Sequence, residues 1–176
     1  SPDYILNNIH KHLPVSKLNK FRLKLINEIN ENSMFRENFY KISKPLLDVI
    51  AGNELAMQKK VSLSIQFPKD DSSLLPVHAD TWTGVSPFET VIWLPLVDCY
   101  RSKSMFILPS SKNNKHSKIF STKKIKNSKD IYKKIKKDLV WLKVKYGQIV
   151  IFDHSLPHGN IINNEAETRW SMNSRL

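Results

Sequence analysis

Hydrophobic and polar residues recur with two different periods along this chain, and the change falls near residue 60. In KLNKFRLKLINEINEN (17–32), Leu18, Phe21, Leu25 and Ile29 form one apolar stripe at helical spacing, with charges elsewhere. SKPLLDVIAGNELAMQ (43–58) predicts a second helix with Ser43 as its cap and Pro45 in its first turn. The asparagines after each stretch suit helix ends. Residues 1–58 are therefore expected to be helical.

Beyond that point the period becomes two. VSLSIQF (61–67) places Val61, Leu63, Ile65 and Phe67 on one face and Ser62, Ser64 and Gln66 on the other. FETVIWLPLVD (88–98), SMFILP (104–109), VWLKVKYG (140–147) and QIVIFD (148–153) read as further strands, the last two joined as a hairpin at Gly147. At the C-terminal end, Arg169, Ser171, Asn173 and Arg175 share one face of a strand, and Trp170, Met172 and Leu176 the other. Such a polar face usually meets water, but in an open-mouthed barrel it lines a ligand cavity. Asn163–Asn164 suits a two-residue turn, which would set His158 directly across from Arg169.

Helices followed by many short strands predict an α+β fold with an antiparallel core, for which a jelly roll is one closed solution. With no internal repeat or linker, the 176 residues are expected to form one domain. Residues 1–58 would be its helical part and 60–176 its β core, interrupted by a lysine-rich insertion at about 112–138.

Forty per cent hydrophobic and ten per cent aromatic content is that of a globular chain. No apolar run approaches the roughly 20 residues of a membrane span, and no signal-peptide pattern opens the sequence. Cys99, the single cysteine, excludes an internal disulfide framework and any CxxC site. A soluble, cytoplasmic protein is expected. The net charge of +12 suggests an anionic partner. Much of it, however, sits in STKKIKNSKDIYKKIKKDL (121–139), expected to be a solvated loop and helix with Ser128 as N-cap and Ile131, Tyr132 and Ile135 facing inward. Nucleic acid is therefore an unlikely partner, and a small substrate, anionic on the sharper reading, is favoured.

Chemistry enters at PVHAD (76–80). On extended backbone His78 and Asp80 project to the same side, so an imidazole and a carboxylate converge on one cation. FDHSLPHGN (152–160) offers a third ligand, with two histidines four residues apart. Two histidines and one carboxylate on one face of an octahedral metal leave three positions open, as in non-haem Fe(II) oxygenases. HxD alone is common.

The ordered set is more specific. His78-Ala79-Asp80, then MFILPSSK (105–112), then FDHSLPHGN with Asn163 and Arg169 downstream, resembles the Fe(II)/2-oxoglutarate-dependent dioxygenases, in particular their phytanoyl-CoA dioxygenase-like branch. Within it, VHADTWTGVSPFETVIWLPLVD is similar to StrG-like oxygenases found among carbohydrate-biosynthesis genes. The resemblance covers roughly residues 60–176. PSSK departs from the usual glycine, serine and histidine of that turn. It implies a double-stranded β-helix (jelly-roll, cupin-like) that holds Fe(II) through His78, Asp80 and His158, with the distal carboxylate of 2-oxoglutarate on Arg169. O2 would be consumed, 2-oxoglutarate converted to succinate, and a substrate C–H bond oxidised. Related halogenases lack the carboxylate ligand, so Asp80 implies hydroxylation or another oxidation.

Ser171 is a candidate for a further bond to the cosubstrate carboxylate, and Gln66 for contact with cosubstrate or substrate. Trp82, Asn173 and Arg175 are candidate substrate contacts, Arg175 for a phosphate or carboxylate. Trp93 reads as core. His154 reads as a bystander at a strand end or rim whose replacement by alanine leaves activity intact. His10, His12 and His116 receive no role. The expected substrate is a sugar, nucleotide-sugar or related carbohydrate or natural-product intermediate. Two rival functions stay open: a cupin-type sugar isomerase or epimerase, and a non-catalytic anion-binding jelly-roll module.

Overall fold

The computed structural model describes the backbone of residues 2–120 and 127–176. Three helices come first: α1 (Pro2–Asn8), α2 (Val15–Glu31) and α3 (Ser33–Ile50). Strands β1 (Ser62–Gln66), β2 (Thr90–Pro95) and β3 (Phe106–Ile107) follow. The insertion carries α4 (Ser110–Phe120) and α5 (Ser128–Ile135). Strands β4 (Val140–Trp141), β5 (Val150–Asp153), β6 (His158–Gly159) and β7 (Arg169–Arg175) complete the chain. None of the described helices is long and apolar enough to cross a membrane.

Two antiparallel sheets result, one in the order β1-β7-β2-β5 and a smaller one in the order β4-β3-β6. The expected stripe of Leu18, Phe21, Leu25 and Ile29 on α2 packs on Leu63, Ile65 and Trp170 of the larger sheet. Phe39 and Leu47 of α3 cover Ile92 and Ile151 beside it. Because period-2 alternation gives each strand two faces, the helices take one face of the sheet and leave the other to the interior. In register there, Ser64 faces Ser171, Gln66 faces Arg169, and Trp93 faces Asn173. β7 has neighbours on both sides, and Arg169 and Ser171 on its polar face are buried.

Four local expectations are corrected. The second helix runs over Ser33–Ile50 and not over 43–58, because the Asn32 side chain accepts from Met34 N and caps it there, and residues 51–58 are not helical. Ser43 and Pro45 lie inside α3, where the Ser43 hydroxyl donates to the Tyr40 carbonyl. β4 and β5 do not form a hairpin. Val144 and Cys99 exchange both backbone bonds, and Tyr146 N donates to Asp98 Oδ1. The segment is thus already paired elsewhere when Gly147, at φ +87°, turns it towards the larger sheet.

The two-residue turn at Asn163–Asn164 is also absent. Asn163 spends its side chain inside a longer loop, donating to Glu167 O and accepting from Glu165 N. His158 and Arg169 therefore enter different sheets and are not cross-strand partners. Finally, α5 is capped by Asn127, whose side chain accepts from Asp130 N, one residue before Ser128. Ile131, Tyr132 and Ile135 do pack inward, on Phe106, Leu108 and Val77. Residues 121–126 of the lysine-rich segment lie outside the described residues.

Candidate metal centre

A short backbone clasp brings two histidines together. His78 N donates to His158 O at 3.0 Å, and His158 N to His78 O at 2.8 Å. This doubly bonded antiparallel pair sets the two residues directly opposite one another, with ring centroids 4.4 Å apart. Ala79 is extended, so Asp80 returns to the side of His78 before the chain enters a short 3-10 turn. Ligand atoms from His78, Asp80 and His158 all lie within 4.8 Å of one another.

The space between them suits a cation. Each histidine donates Nδ1–H to the carbonyl two residues before it, His78 to Pro76 O and His158 to Leu156 O, both at 2.8 Å. A carbonyl only accepts, so both Nε2 atoms present lone pairs. His78 Nε2 faces Asp80 Oδ1 at 3.5 Å. Outer bonds of this kind orient metal-binding histidines.

Burial holds His158 down to about 4, with His78 adding to the effect against the opposing bond to Leu156 and the charge of Asp80. The ring is therefore neutral, as a ligand must be. In metal-free protein the consequence has a definite sign. The unfolded chain takes up this proton below about pH 6.5, whereas the native site resists until about pH 4. The stability that neutral His158 supplies is full above that window and falls progressively as the pH drops through it. Urea unfolding at about pH 7 and pH 5 reads this loss, and His158→Asn is expected to shrink it.

Asp80 is held from behind. Arg175 donates to its Oδ2 through Nε at 3.1 Å and Nη2 at 2.8 Å. His154 Nδ1 stands 3.4 Å from the same oxygen. Burial opposes ionisation of the carboxyl, but the Arg175 bond and charge outweigh it and keep Asp80 below the usual carboxylate range. Oδ1 alone is left towards the histidines, which favours one-oxygen ligation and keeps other metal positions open.

His154 is thus no rim residue. It is 0% exposed, donates through Nε2 to Ser86 O at 2.8 Å, and its carbonyl accepts from Asp80 N at 3.1 Å. Replacing it with alanine removes the Ser86 bond and leaves a void in the buried wall behind Asp80, and is expected to weaken metal binding by letting that carboxylate move. Calorimetric titration with Fe(II) or Ni(II) measures this.

Gly159 is where the strands crowd. A Cβ there would sit 2.6 Å from the Leu75 carbonyl and 3.1 Å from the Phe106 ring. Asn160 then fastens the same segment, its N donating to Leu75 O and its Oδ1 accepting from Leu75 N. Gly159→Ala is expected to cost about 1–3 kcal/mol by overpacking and to displace His78, read as a lower melting temperature with weaker metal uptake.

A cavity of about 170 Å3 opens from the triad between the two sheets. Ser64, Trp93, Arg169, Ser171, Asn173 and Arg175 line it. Arg169 is the electrostatic anomaly. It is 3% exposed, donates only to Ser104 O at 3.3 Å and Ser64 Oγ at 3.2 Å, and leaves Nε without a partner among the described residues. Burial lowers it to about 10, so it stays charged at neutral pH. A buried guanidinium without a carboxylate is costly, and an anion entering the cavity would remove that cost.

Of the expected residues, the structure brings His78, Asp80, His158, Arg169, Ser171, Asn173 and Arg175 around one cavity. Gln66 is turned away, its amide donating to Ile161 O at 2.7 Å. Trp82 lies outside the cavity, 42% exposed and tilted against Phe120 of α4 at 5.2 Å. Trp93, read as core, is both buried and part of the lining. Sequence reasoning missed Asn160 and the buried place of His154. Continuing the alternation of Val150 and Phe152 to 154 would have signalled the second.

No protein-family model and no curated protein sequence matches the chain. Solved structures do match its fold. EctD from S. alaskensis with bound Fe aligns at TM-score 0.63 with 14% identity, covering 84% of this chain and 54% of its own. The Ni complex of ThoJ, a non-heme monooxygenase, aligns at 0.56 with 15% identity over 89% and 64%. SnoK, a non-heme alpha-ketoglutarate-dependent carbocyclase from nogalamycin biosynthesis, aligns at 0.54 with 16% identity over 79% and 58%. The chain spans a little over half the length of these proteins. The expected jelly-roll architecture, α+β with helices on an antiparallel core, is the fold it shares with them.

Proposed function

We propose that the chain is a Fe(II)- and 2-oxoglutarate-dependent dioxygenase acting on a small polar substrate. The observation that carries this reading is the buried Arg169 guanidinium, without a carboxylate partner among the described residues, in the same cavity as His78, Asp80 and His158. A metal triad alone suits many reactions, and an isolated buried arginine suits any anion. Together they fit a ligand that needs both, a 2-oxoacid with a second carboxylate. Bound Fe(II) with 2-oxoglutarate supplies the oxidising chemistry, consuming O2 and releasing succinate and CO2 as a substrate C–H bond is oxidised.

The protein's own tasks are binding and orientation. His78 and His158 offer Nε2, fixed by their Nδ1–H bonds. Asp80 offers Oδ1 while Arg175 and His154 occupy the other side of the carboxylate. Arg169 takes the distal carboxylate as a charge-assisted pair, with Ser171 beside it on the same strand face. Trp93 and Phe152 give the cavity an apolar wall that limits water. A sugar, nucleotide-sugar or related intermediate is the substrate class we favour. The polar row on β7 supports it, and SnoK, of the same fold, comes from a biosynthetic pathway.

Oxygen-dependent succinate formation tests the reading. Fe(II), 2-oxoglutarate and O2 together are expected to yield succinate, with none under argon or with excess chelator. A metal-independent isomerase would turn over a nucleotide-sugar under those excluded conditions instead.

A further inference from the structure

A second groove, of about 460 Å3, adjoins the metal cavity and shares Ser64, Leu75, Asn173 and Arg175 with it. It runs along β1, which ends the larger sheet and has a partner strand on one side only. Its far wall is α2, with Asn19 and Arg22, and its rim is the Ser72–Leu75 segment.

The lining is mixed, with Val15, Leu18, Leu63, Ile65, Leu74 and Leu75 as its apolar part and a polar part of one kind. Ser62, Ser64, Ser72 and Ser73 supply hydroxyls, Asn19 and Asn173 supply amides, and no carboxylate lines it among the described residues. The unpaired outer edge of β1 adds backbone donors and acceptors, which hydroxyl groups satisfy as well as another strand does. Of the two cations, Arg175 is engaged by Asp80. Arg22 donates to Asn19 Oδ1 at 2.7 Å and forms no ion pair among the described residues. One end of the groove thus carries a free positive charge, the middle many hydrogen-bonding groups, and the other end meets the cavity that holds the triad.

We infer that this groove holds the body of the substrate, an anionic polyhydroxylated small molecule such as a sugar phosphate or sugar acid, with its charged group on Arg22 and its reacting carbon towards the triad. The inference rests on the oxygenase reading and assigns its substrate class. Arg22 lies on the opposite side of β1 from Arg169, so substrate and cosubstrate anions are kept on separate guanidinium groups. A bidentate arginine contact discriminates strongly for phosphate or carboxylate over a neutral hydroxyl.

Isotope-labelled protein titrated with glucose 6-phosphate, glucuronate, glucose and inorganic phosphate tests this by NMR. At least one of the two anionic sugars is expected to shift the amides of Ser62–Ile65 and Ser72–Leu75 and to bind about tenfold tighter than glucose or inorganic phosphate. Arg22→Gln removes that preference, and Arg22→Lys restores part of it. Which sugar wins tells phosphate from carboxylate. Equal binding of charged and neutral sugars, wild-type affinity in Arg22→Gln, shifts confined to other surfaces, or no binding by either anionic sugar overturns the assignment. So does preferential protection of the β1 amides by an extended peptide. Fe(II) and 2-oxoglutarate uptake, followed by visible absorption on the same wild-type samples, separates the two proposals. Its loss with groove binding intact refutes the oxygenase alone, and the converse refutes the groove alone.

Discussion

Asp80→Ala is expected to weaken Fe(II) binding by more than about 100-fold, beyond the usual cost of losing an outer partner, and to abolish oxygen-dependent succinate formation. Oδ1 of Asp80 is the only anionic ligand atom the triad offers. Without it, two neutral imidazoles face a divalent cation, and Arg175, freed from Oδ2, leaves a positive charge beside the site. The fold itself should persist. Arg175 is partly exposed and reaches Glu89 at 4.0 Å, so its charge does not become buried and unpaired. Calorimetry with Fe(II) under argon reads the affinity, and a thermal melt confirms that the variant is folded. Unchanged metal affinity in a folded Asp80→Ala protein removes the triad from consideration.

Arg169→Met carries the second large effect, and its sign differs between two measurements. Loss of a buried charge-assisted pair with a carboxylate costs about 2–5 kcal/mol, so 2-oxoglutarate affinity should fall by roughly 30-fold or more. In protein without the cosubstrate the same change removes a desolvated guanidinium that has no carboxylate partner. Replacing a buried charge by an apolar side chain of similar length is often neutral or stabilising by about 1–4 kcal/mol. The variant should therefore melt no lower than wild type while losing the stabilisation that 2-oxoglutarate confers. A structural arginine would behave in the opposite way, with a lower melting temperature and unaltered cosubstrate binding.

How much of this was legible beforehand depends on the range of the interactions. His78 and Asp80 share a side because alternation on extended backbone is local, and Arg169, Ser171, Asn173 and Arg175 share a face for the same reason. What alternation does not contain is which strand lies opposite. The place of Arg169 directly across from His158 was expected from a turn at Asn163–Asn164 that the structure does not have. The residue lines the cavity because β7 sits between β1 and β2, while His158 belongs to the other sheet. Helix α3 begins ten residues before the expected Ser43 because an Asn32 cap outweighs the Ser–Lys–Pro signal.

The residues that surround the candidate triad were the least readable. His154 reaches Asp80 through a contact across 74 positions of chain, and Asn160 reaches Leu75 across 85. Both depend on two loops meeting, which composition and period do not encode. Gln66 shows the reverse failure: its backbone sits in the expected place, but the side chain finds the Ile161 carbonyl first. Trp82, a candidate substrate contact, lies outside the cavity and tilts against Phe120 of the insertion helix.

In the proposed enzyme one cavity would hold Fe(II) on His78, Asp80 and His158 and 2-oxoglutarate on Arg169. Anaerobic addition of 2-oxoglutarate to the Fe(II)-loaded protein tests it most directly, by visible absorption. A metal-to-ligand charge-transfer band that saturates with 2-oxoglutarate in the wild type, and needs far more of it in Arg169→Met, is the predicted result. No band in the wild type, or identical saturation in the two proteins, contradicts the account.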